Sequence, residues 1–186
     1  MAQITKKALA ASLKNLLAQK TLDKITVIDI VKDCEVNRQT FYYHFHDIYD
    51  LVEWTFLNEA TRALGPDKTY ETWQQGFLKI FGYALENKTL IKNIYHSAGR
   101  GHLTQYLYRE TGHLLMDVVR GKAEGLPVRE DEMAFIADFY KYAFAGILLE
   151  WIRDGMMQEP ADAIEKLSVL IQGNMEAALE RYSAGR

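Results

Sequence analysis

The sequence predicts an all-α protein with an N-terminal three-helix head followed by a larger helical bundle, about nine helices in total. Three observations support this fold class. Apolar residues recur at the three- and four-residue spacings of amphipathic helices along most of the chain. Only three of the 186 residues are prolines, whereas a many-stranded sandwich needs frequent turns. No segment of strand length alternates apolar and polar residues.

The head is predicted from three short helices within the first 47 residues. Residues 5–19 carry leucines on one face, residues 27–34 begin after Thr26, and residues 38–45 begin after Asn37. Both cap residues accept hydrogen bonds well at a helix start, and Thr26 is followed three residues later by an acid, the capping-box pattern. Because only three residues separate the second helix from the third, the two must cross steeply. That arrangement is a helix-turn-helix.

Six further helices are predicted over residues 47–64, 70–86, 88–97, 103–124, 130–154 and 161–182, the first with Asp47 as its cap. The helix over 130–154 is apolar on nearly all sides, which indicates a buried helix. The helix over 161–182 carries one apolar stripe with seven-residue spacings, which suits helix packing between subunits. The predicted dimer interface takes its residues from these last two helices: Ile147, Trp151, Ile164, Leu167, Ile171, Met175 and Ala178.

Charge is unevenly distributed along the chain. The formal net charge is −3, yet residues 1–47 hold seven Lys/Arg against five Asp/Glu, a balance of +2. The remaining residues hold fifteen against twenty, a balance of −5. This asymmetry is mild, and it fits a small basic head on an acidic body.

The sequence shows no export or membrane signal. Its single cysteine, Cys34, excludes an internal disulfide and is expected to be a small buried thiol. The N-terminus lacks the continuous apolar region of a signal peptide, and the apolar run over residues 143–149 is too short to span a bilayer. We therefore expect a soluble cytoplasmic protein.

Residues 25–52, ITVIDIVKDCEVNRQTFYYHFHDIYDLV, resemble the N-terminal signature of TetR-type transcriptional regulators. Spacing, helix boundaries and residue chemistry all agree with that signature. The run NRQTFYYHF followed by DIYDLVEW is similar to a narrower branch, the regulators associated with dihydroxyacetone kinase operons. The positions that match the family pattern are Thr26, Val36, Asn37, Thr40, Phe41, Tyr42, Tyr43, His44 and Phe45.

Four positions depart from that pattern, one of them Cys34, which stands where alanine is common. Glu35 stands in the turn where the family usually has glycine, so the turn is either built differently or strained. His46 and Ile48 stand where lysines often reach phosphate, which predicts a weaker nonspecific electrostatic contribution to DNA binding.

The first turn of the third helix has the side chains that read bases. Arg38 can donate two hydrogen bonds to guanine, Gln39 can pair with adenine, and Thr40 can contact a base edge or a thymine methyl group. The first turn is also the end that a recognition helix presents to the major groove. Phe41 and Phe45 are expected to fill the core of the head.

The resemblance implies further contacts around these three. One hydroxyl of the tyrosine pair is expected on the DNA backbone or a base, the other ring braces the head, and the histidine contacts phosphate. The N-terminus of the second helix can offer a hydroxyl and a backbone N–H to another phosphate. The predicted DNA-binding set is Thr26, Asn37, Arg38, Gln39, Thr40, Tyr42, Tyr43 and His44.

The middle helices offer large side chains for an effector pocket, although ordinary core packing explains the same residues. No catalytic signature is present, and the histidines lack an acid or thiol partner at metal-ligand spacing. We therefore predict no enzyme, no cofactor and no metal. The candidate pocket residues are Trp73, Phe77, Phe81, Tyr95, His96, Tyr106, His113 and Phe139.

These features predict a homodimeric transcriptional regulator that binds a palindromic operator in double-stranded DNA. Residues 1–47 would form the DNA-binding domain, and residues 48–186 a ligand-binding and dimerisation domain that holds a small-molecule effector. The helix over 47–64 follows the recognition helix directly and is the expected lever between them. The alternative is a transcriptional activator or co-regulator whose C-terminal domain binds an effector-sensing partner protein and no small molecule.

Overall fold

The computed structural model describes residues 2–64 and 73–185 of the chain, and the side chains of residue 2 and residues 60–64 lie outside that description. The described residues form ten α-helices and one short 3-10 helix, Leu22–Lys24, without any strand among them. Among the same residues, no helix is both long and apolar enough to cross a membrane. The α-helices are α1 Ala2–Leu17, α2 Val27–Asp33, α3 Arg38–His44, α4 Ile48–Leu64, α5 Trp73–Glu86, α6 Lys88–Tyr95, α7 Arg100–Lys122, α8 Glu130–Arg153, α9 Pro160–Ile171 and α10 Asn174–Ala184.

The predicted all-α fold class is confirmed, and most predicted helices match the observed ones to within a few residues. The exception is the helix predicted over 161–182, which is two helices, α9 and α10. Gly173 separates them with φ of 76°, a left-handed backbone conformation that glycine adopts without a Cβ clash.

The chain divides into two compact units. Unit 1 comprises Met1–Arg62 and Glu86–Gln105. Its core contains Leu9 and Leu13 of α1, Phe41 of α3 and Ile94 of α6, each at most 1% exposed. The amide of Asn93 donates to the carbonyl of Leu17 at the end of α1 (2.7 Å). Unit 1 therefore includes α6, which lies far along the sequence from the predicted head.

Unit 2 comprises Ala63–Leu85 and Tyr106–Arg186. Aromatic rings from α5 and α8 form much of its core. The Phe77 and Phe144 rings lie 4.3 Å apart, the Trp73 and Phe144 rings 5.3 Å apart, and the Phe81 and Trp151 rings 4.8 Å apart, measured between centroids. Tilted and edge-on pairs of this kind stabilise a core beyond their buried area alone.

Candidate nucleic-acid interface

A full capping box starts α2. The backbone N–H of Asp29 donates to the Thr26 hydroxyl (3.2 Å), while the Thr26 backbone N–H and hydroxyl both donate to the Asp29 carboxylate (2.9 Å each). These hydrogen bonds, the backbone one foremost, lower the pKa of Asp29. Thr26 is exposed, but its hydroxyl and N–H already have partners. A phosphate contact by Thr26 would have to replace one of these bonds.

The turn between α2 and α3 contains a strained residue. The N–H of Val36 donates to the carbonyl of Val31 (3.0 Å) and that of Glu35 to Lys32 (3.4 Å), which is the hydrogen-bond pattern of a Schellman motif. The left-handed position of this motif usually belongs to glycine, and here Glu35 occupies it with φ of 56°. Of the two possibilities that the sequence left open, the structure shows strain in a turn of the ordinary kind.

Asn37 fixes the first turn of α3. Its side-chain oxygen accepts from the backbone N–H of Thr40 (2.7 Å) and from the Thr40 hydroxyl (2.9 Å). The two residues, with Gln39 and Tyr43, line one shallow surface depression of about 220 Å³. Four residues of the predicted DNA-binding set therefore lie on one face.

The aromatic residues of α3 divide between core and surface. Phe41 is 0% exposed and Phe45 is 2% exposed, so the prediction that both fill the core of the head is confirmed. Tyr42 is 48% and Tyr43 82% exposed. His44 is half-buried, with its ring 4.9 Å from the Tyr43 ring.

Arg38 is oriented by its own helix. Its guanidinium donates to the Tyr42 hydroxyl (3.1 Å) and lies 5.3 Å from the centre of the Tyr42 ring. Residues four apart face each other on a helix, and the pair holds an exposed cation in place on the outer face of α3. The sequence identified both residues but did not predict that they pair.

The start of α4 is capped by Asp47, as its position before the helix predicts. The Asp47 carboxylate accepts from the backbone N–H groups of Tyr49 (2.8 Å) and Asp50 (2.9 Å). Hydrogen bonds at this cap lower the pKa of Asp47 although partial burial opposes the shift. The His46 ring also lies beside the Asp47 carboxylate (3.3 Å).

The eight residues predicted for an effector pocket do not come together. Trp73, Phe77, Phe81 and Tyr106 are buried in unit 2, whereas Tyr95 is buried in unit 1. His96, His113 and Phe139 are exposed and cannot line an interior pocket as placed. Unit 2 does hold a cavity of about 370 Å³. Trp73 is the only one of the eight predicted residues that lines this cavity. The polar residues that line it could not be predicted from the spacing of apolar residues in the sequence.

The predicted dimer residues also need correction. Trp151, Ile164, Leu167, Ile171 and Met175 are at most 8% exposed. They pack inside unit 2 of one chain, so they are not available to a second copy in this conformation. Ile147 and Ala178 are half-buried.

Large apolar side chains are exposed elsewhere in unit 2. On α8, Phe135 and Phe139 are each 67% exposed and Tyr142 is 56% exposed, and their spacing puts them on one face. On α9, Val169 is 71% and Leu170 67% exposed. We call the three α8 residues the apolar face. Among the residues that the structure describes, no group of three or more histidine, cysteine or acidic side chains could hold a metal ion.

Two family descriptions match this chain. Residues 9–54 match "Bacterial regulatory proteins, tetR family", and residues 71–173 match "Transcriptional regulator C-terminal region". A curated relative, the HTH-type dhaKLM operon transcriptional activator DhaS of Lactococcus lactis subsp. lactis (strain IL1403), is 30% identical over 92 residues. That match spans 50% of this chain and 49% of the relative, so this chain matches about half of the relative's length.

Two solved structures share the fold. The dihydroxyacetone kinase operon activator DhaS superposes with a TM-score of 0.66 and 24% identity, over 97% of this chain and 98% of that one. Native NalD, the secondary repressor of the MexAB-OprM multidrug efflux pump in Pseudomonas aeruginosa, superposes with a TM-score of 0.58 and 13% identity, over 90% of this chain and 94% of that one.

Proposed function

This chain belongs to the TetR family of bacterial transcriptional regulators, and on that premise we propose that it acts as a homodimer that binds a palindromic operator under the control of a small-molecule effector. That family consists of transcriptional regulators and not of enzymes. We assign DNA binding to residues 1–47, which lie in unit 1, and regulation and dimerisation to the part of residues 48–186 that lies in unit 2.

The observation that carries the proposal is the surface of α3. Buried Phe41 and Phe45 anchor the helix, while Arg38, Gln39 and Tyr43 remain exposed on it. A rigid short helix with exposed hydrogen-bonding side chains suits the major groove, where arginine and glutamine recognise base edges. We assign base reading to Arg38, Gln39 and Thr40.

The remaining predicted residues contact the DNA backbone or hold the contacting helices in shape. Tyr42, Tyr43 and His44 reach the DNA backbone from the rest of α3, and Asn37 holds the first turn in shape through Thr40. Thr26 supports the N-terminus of α2 as its cap. Contacts of this kind set orientation on the duplex and carry little sequence information.

The second copy binds at the apolar face on α8. Exposed aromatic and aliphatic side chains of this size normally mark an interaction site, and a two-fold operator needs a two-fold protein. Gly146 lies one turn beyond Tyr142 on α8, and a Cβ there would meet nothing within 4 Å. A small residue at this position allows the backbones of two helices to approach closely. The two heads would then read half-sites about 34–36 Å apart.

A small-molecule effector is favoured over an effector-sensing partner protein because unit 2 contains a cavity of about 370 Å³. Ligand sites in proteins typically measure roughly 300–1,000 Å³. The two similar regulators named above are an activator and a repressor, so we propose neither activation nor repression for this chain.

The test is a titration of the full chain into labelled DNA from its own upstream region, at two salt concentrations. We expect tight, salt-dependent binding that Arg38→Ala weakens by about ten- to a hundredfold, since a bidentate base contact contributes roughly 1–3 kcal/mol. Arg181→Ala is the matched control, because Arg181 is an exposed arginine on α10. Equal binding by wild type and Arg38→Ala, with both folded by circular dichroism, would contradict the assignment of α3.

A further inference from the structure

The cavity in unit 2 combines an apolar floor with one buried charge. Trp73 and Phe144 lie against each other on one side, and Leu115, Val118 and Ile171 contribute aliphatic surface. Lys122 also lines the cavity, with its side chain only 7% exposed. Lysine ammonium groups are almost never buried without a compensating partner, so this one marks a place built for a negative charge.

Glu176 supplies a negative charge to Lys122 from the first turn of α10. The two side chains form an ion pair. They are unequal in exposure, because the Glu176 side chain is 41% exposed and that of Lys122 is 7% exposed. Glu176 is therefore the more exposed partner of the pair, and the one that a ligand carboxylate would have to displace. Burial lowers the pKa of Lys122 because desolvation disfavours its charged form.

The N-terminus of α10 adds to the positive potential. Gly173 precedes the helix and lines the same cavity. Because the N-cap residue is a glycine, it makes no side-chain hydrogen bond to the first turn of α10. Since Gly173, Met175 and Glu176 line the cavity, the positive end of the helix dipole lies beside it.

We propose that this cavity is the effector site and that the effector is a small organic carboxylate with an apolar body, whose carboxylate replaces Glu176 on the Lys122 ammonium. The exchange substitutes one carboxylate for another, so no charge is left buried without a partner. The apolar body covers Trp73 and Phe144. A phosphate monoester would bring nearly two negative charges to one ammonium, which fits this site less well. The inference rests on the proposed function, because it names the ligand class of the proposed regulatory domain.

The test measures binding on the full chain without DNA, by isothermal titration calorimetry. The probes are benzoate and the straight-chain carboxylates from propionate to octanoate, each compared with its neutral amide. We expect saturable binding of carboxylates, with affinity rising as the apolar body lengthens, and no binding of the amides. Equal binding of acids and amides, or no binding of any acid in the series, would overturn the proposal.

Two variants must change affinity in opposite directions. Lys122→Met is expected to weaken carboxylate binding by about ten- to a hundredfold, the effect of losing a charge-assisted hydrogen bond. Glu176→Gln is expected to strengthen it, because the ligand no longer displaces a competing carboxylate. If the ion pair were structural only, Glu176→Gln would not improve binding. Weaker binding by this variant would therefore contradict the proposal even if Lys122→Met failed to fold.

Addition of the bound carboxylate to a complex with operator DNA then links the cavity to regulation. We expect a change in DNA affinity for the wild type and none for Lys122→Met. Carboxylate binding without any change in DNA affinity would overturn the effector assignment. Loss of DNA binding in Arg38→Ala is measured separately without ligand, so failure of the cavity proposal and failure of the DNA-binding proposal give different results.

Discussion

At the scale of single residues, two turns of this chain share a hydrogen-bond pattern but not a residue type. After α8, the N–H of Met156 donates to the carbonyl of Trp151 (2.8 Å) and that of Gly155 to Ile152 (3.1 Å), the pattern also found after α2. Gly155 takes the left-handed position there with φ of 81°, where Glu35 stands in the head. The sequence shows that Glu35 stands where glycine is usual. Whether the turn is strained or built differently depends on its backbone angles and hydrogen bonds, which only the structure gives.

Replacing Glu35 with glycine is expected to stabilise the protein. A side chain in the left-handed region costs roughly 1–2 kcal/mol, partly offset because glycine makes the unfolded chain more flexible. We expect Glu35→Gly to raise the free energy of unfolding by about 0.5–1 kcal/mol in urea denaturation.

The internal control for that measurement is Gly155→Ala, which places a side chain in the same position of the matching turn. It should lower the free energy of unfolding by about 1 kcal/mol. A loss of stability in Glu35→Gly would show that the Glu35 side chain makes a stabilising contact that exceeds its backbone strain.

At the scale of helices, sequence reasoning succeeded where caps are explicit. Thr26, Asn37 and Asp47 each precede a helix, and each makes the side-chain hydrogen bond that its position predicts. The break at Gly173 was not predicted, because an isolated glycine inside an apolar stripe does not reveal whether its backbone is helical or left-handed. The sequence also gave no sign that α6 belongs with the head, since that contact joins residues 76 positions apart in the sequence.

The contact of α6 with α1 can be tested at Asn93, whose amide donates to the carbonyl of Leu17 (2.7 Å). Asn93→Ala removes this donor and should lower the free energy of unfolding by about 1 kcal/mol. Hydrogen exchange should also become faster at the C-terminal end of α1, because a helix end loses its side-chain partner.

Asn58→Ala is the control for that loss. Asn58 makes the same kind of bond, to the carbonyl of Trp54 (2.9 Å), but within its own helix α4. Both substitutions gain the same helix propensity, so the difference between them isolates the bond between separate helices. Equal stabilities of the two variants would mean that the bond between α6 and α1 contributes no more than a bond within one helix.

At the scale of the whole molecule, periodicity predicted most of the helices, but it assigned the stripe of the last predicted helix to a contact between subunits. The stripe through Ile164, Leu167, Ile171 and Met175 is real, but it is buried in unit 2. A stripe shows that a helix has a face to bury and does not say whether the neighbour is the same chain or another. The apolar face, which includes Phe135 and Phe139, could be recognised only after the structure had shown which apolar side chains are buried.

A charge on the apolar face is expected to separate the proposed dimer. Phe139→Glu buries a carboxylate without a partner if the dimer forms, and substitution of an aromatic anchor commonly costs an interface about 2–4 kcal/mol. We expect the variant to sediment as a monomer at micromolar concentration, with its helical content intact, and to lose affinity for a two-half-site operator.

Leu126→Glu provides the comparison, because Leu126 is an exposed leucine in the turn after α7, outside the apolar face. It should sediment like the wild type. If Phe139→Glu and the wild type sediment as the same species, the second copy does not bind at the apolar face.

Unit 1 is assembled from two separate stretches of chain, and this has a consequence for protein engineering. A chimera that joins residues 1–62 alone to the body of another regulator lacks Ile94, which is 1% exposed in the core of unit 1. It also lacks Asn93 of α6, whose amide donates a hydrogen bond to α1. The core of the transplanted segment would lack the side chains of α6 and would be partly exposed to solvent. DNA specificity in this protein is therefore better exchanged by grafting a few exposed positions of α3 onto the intact chain than by swapping its N-terminal segment as a cassette.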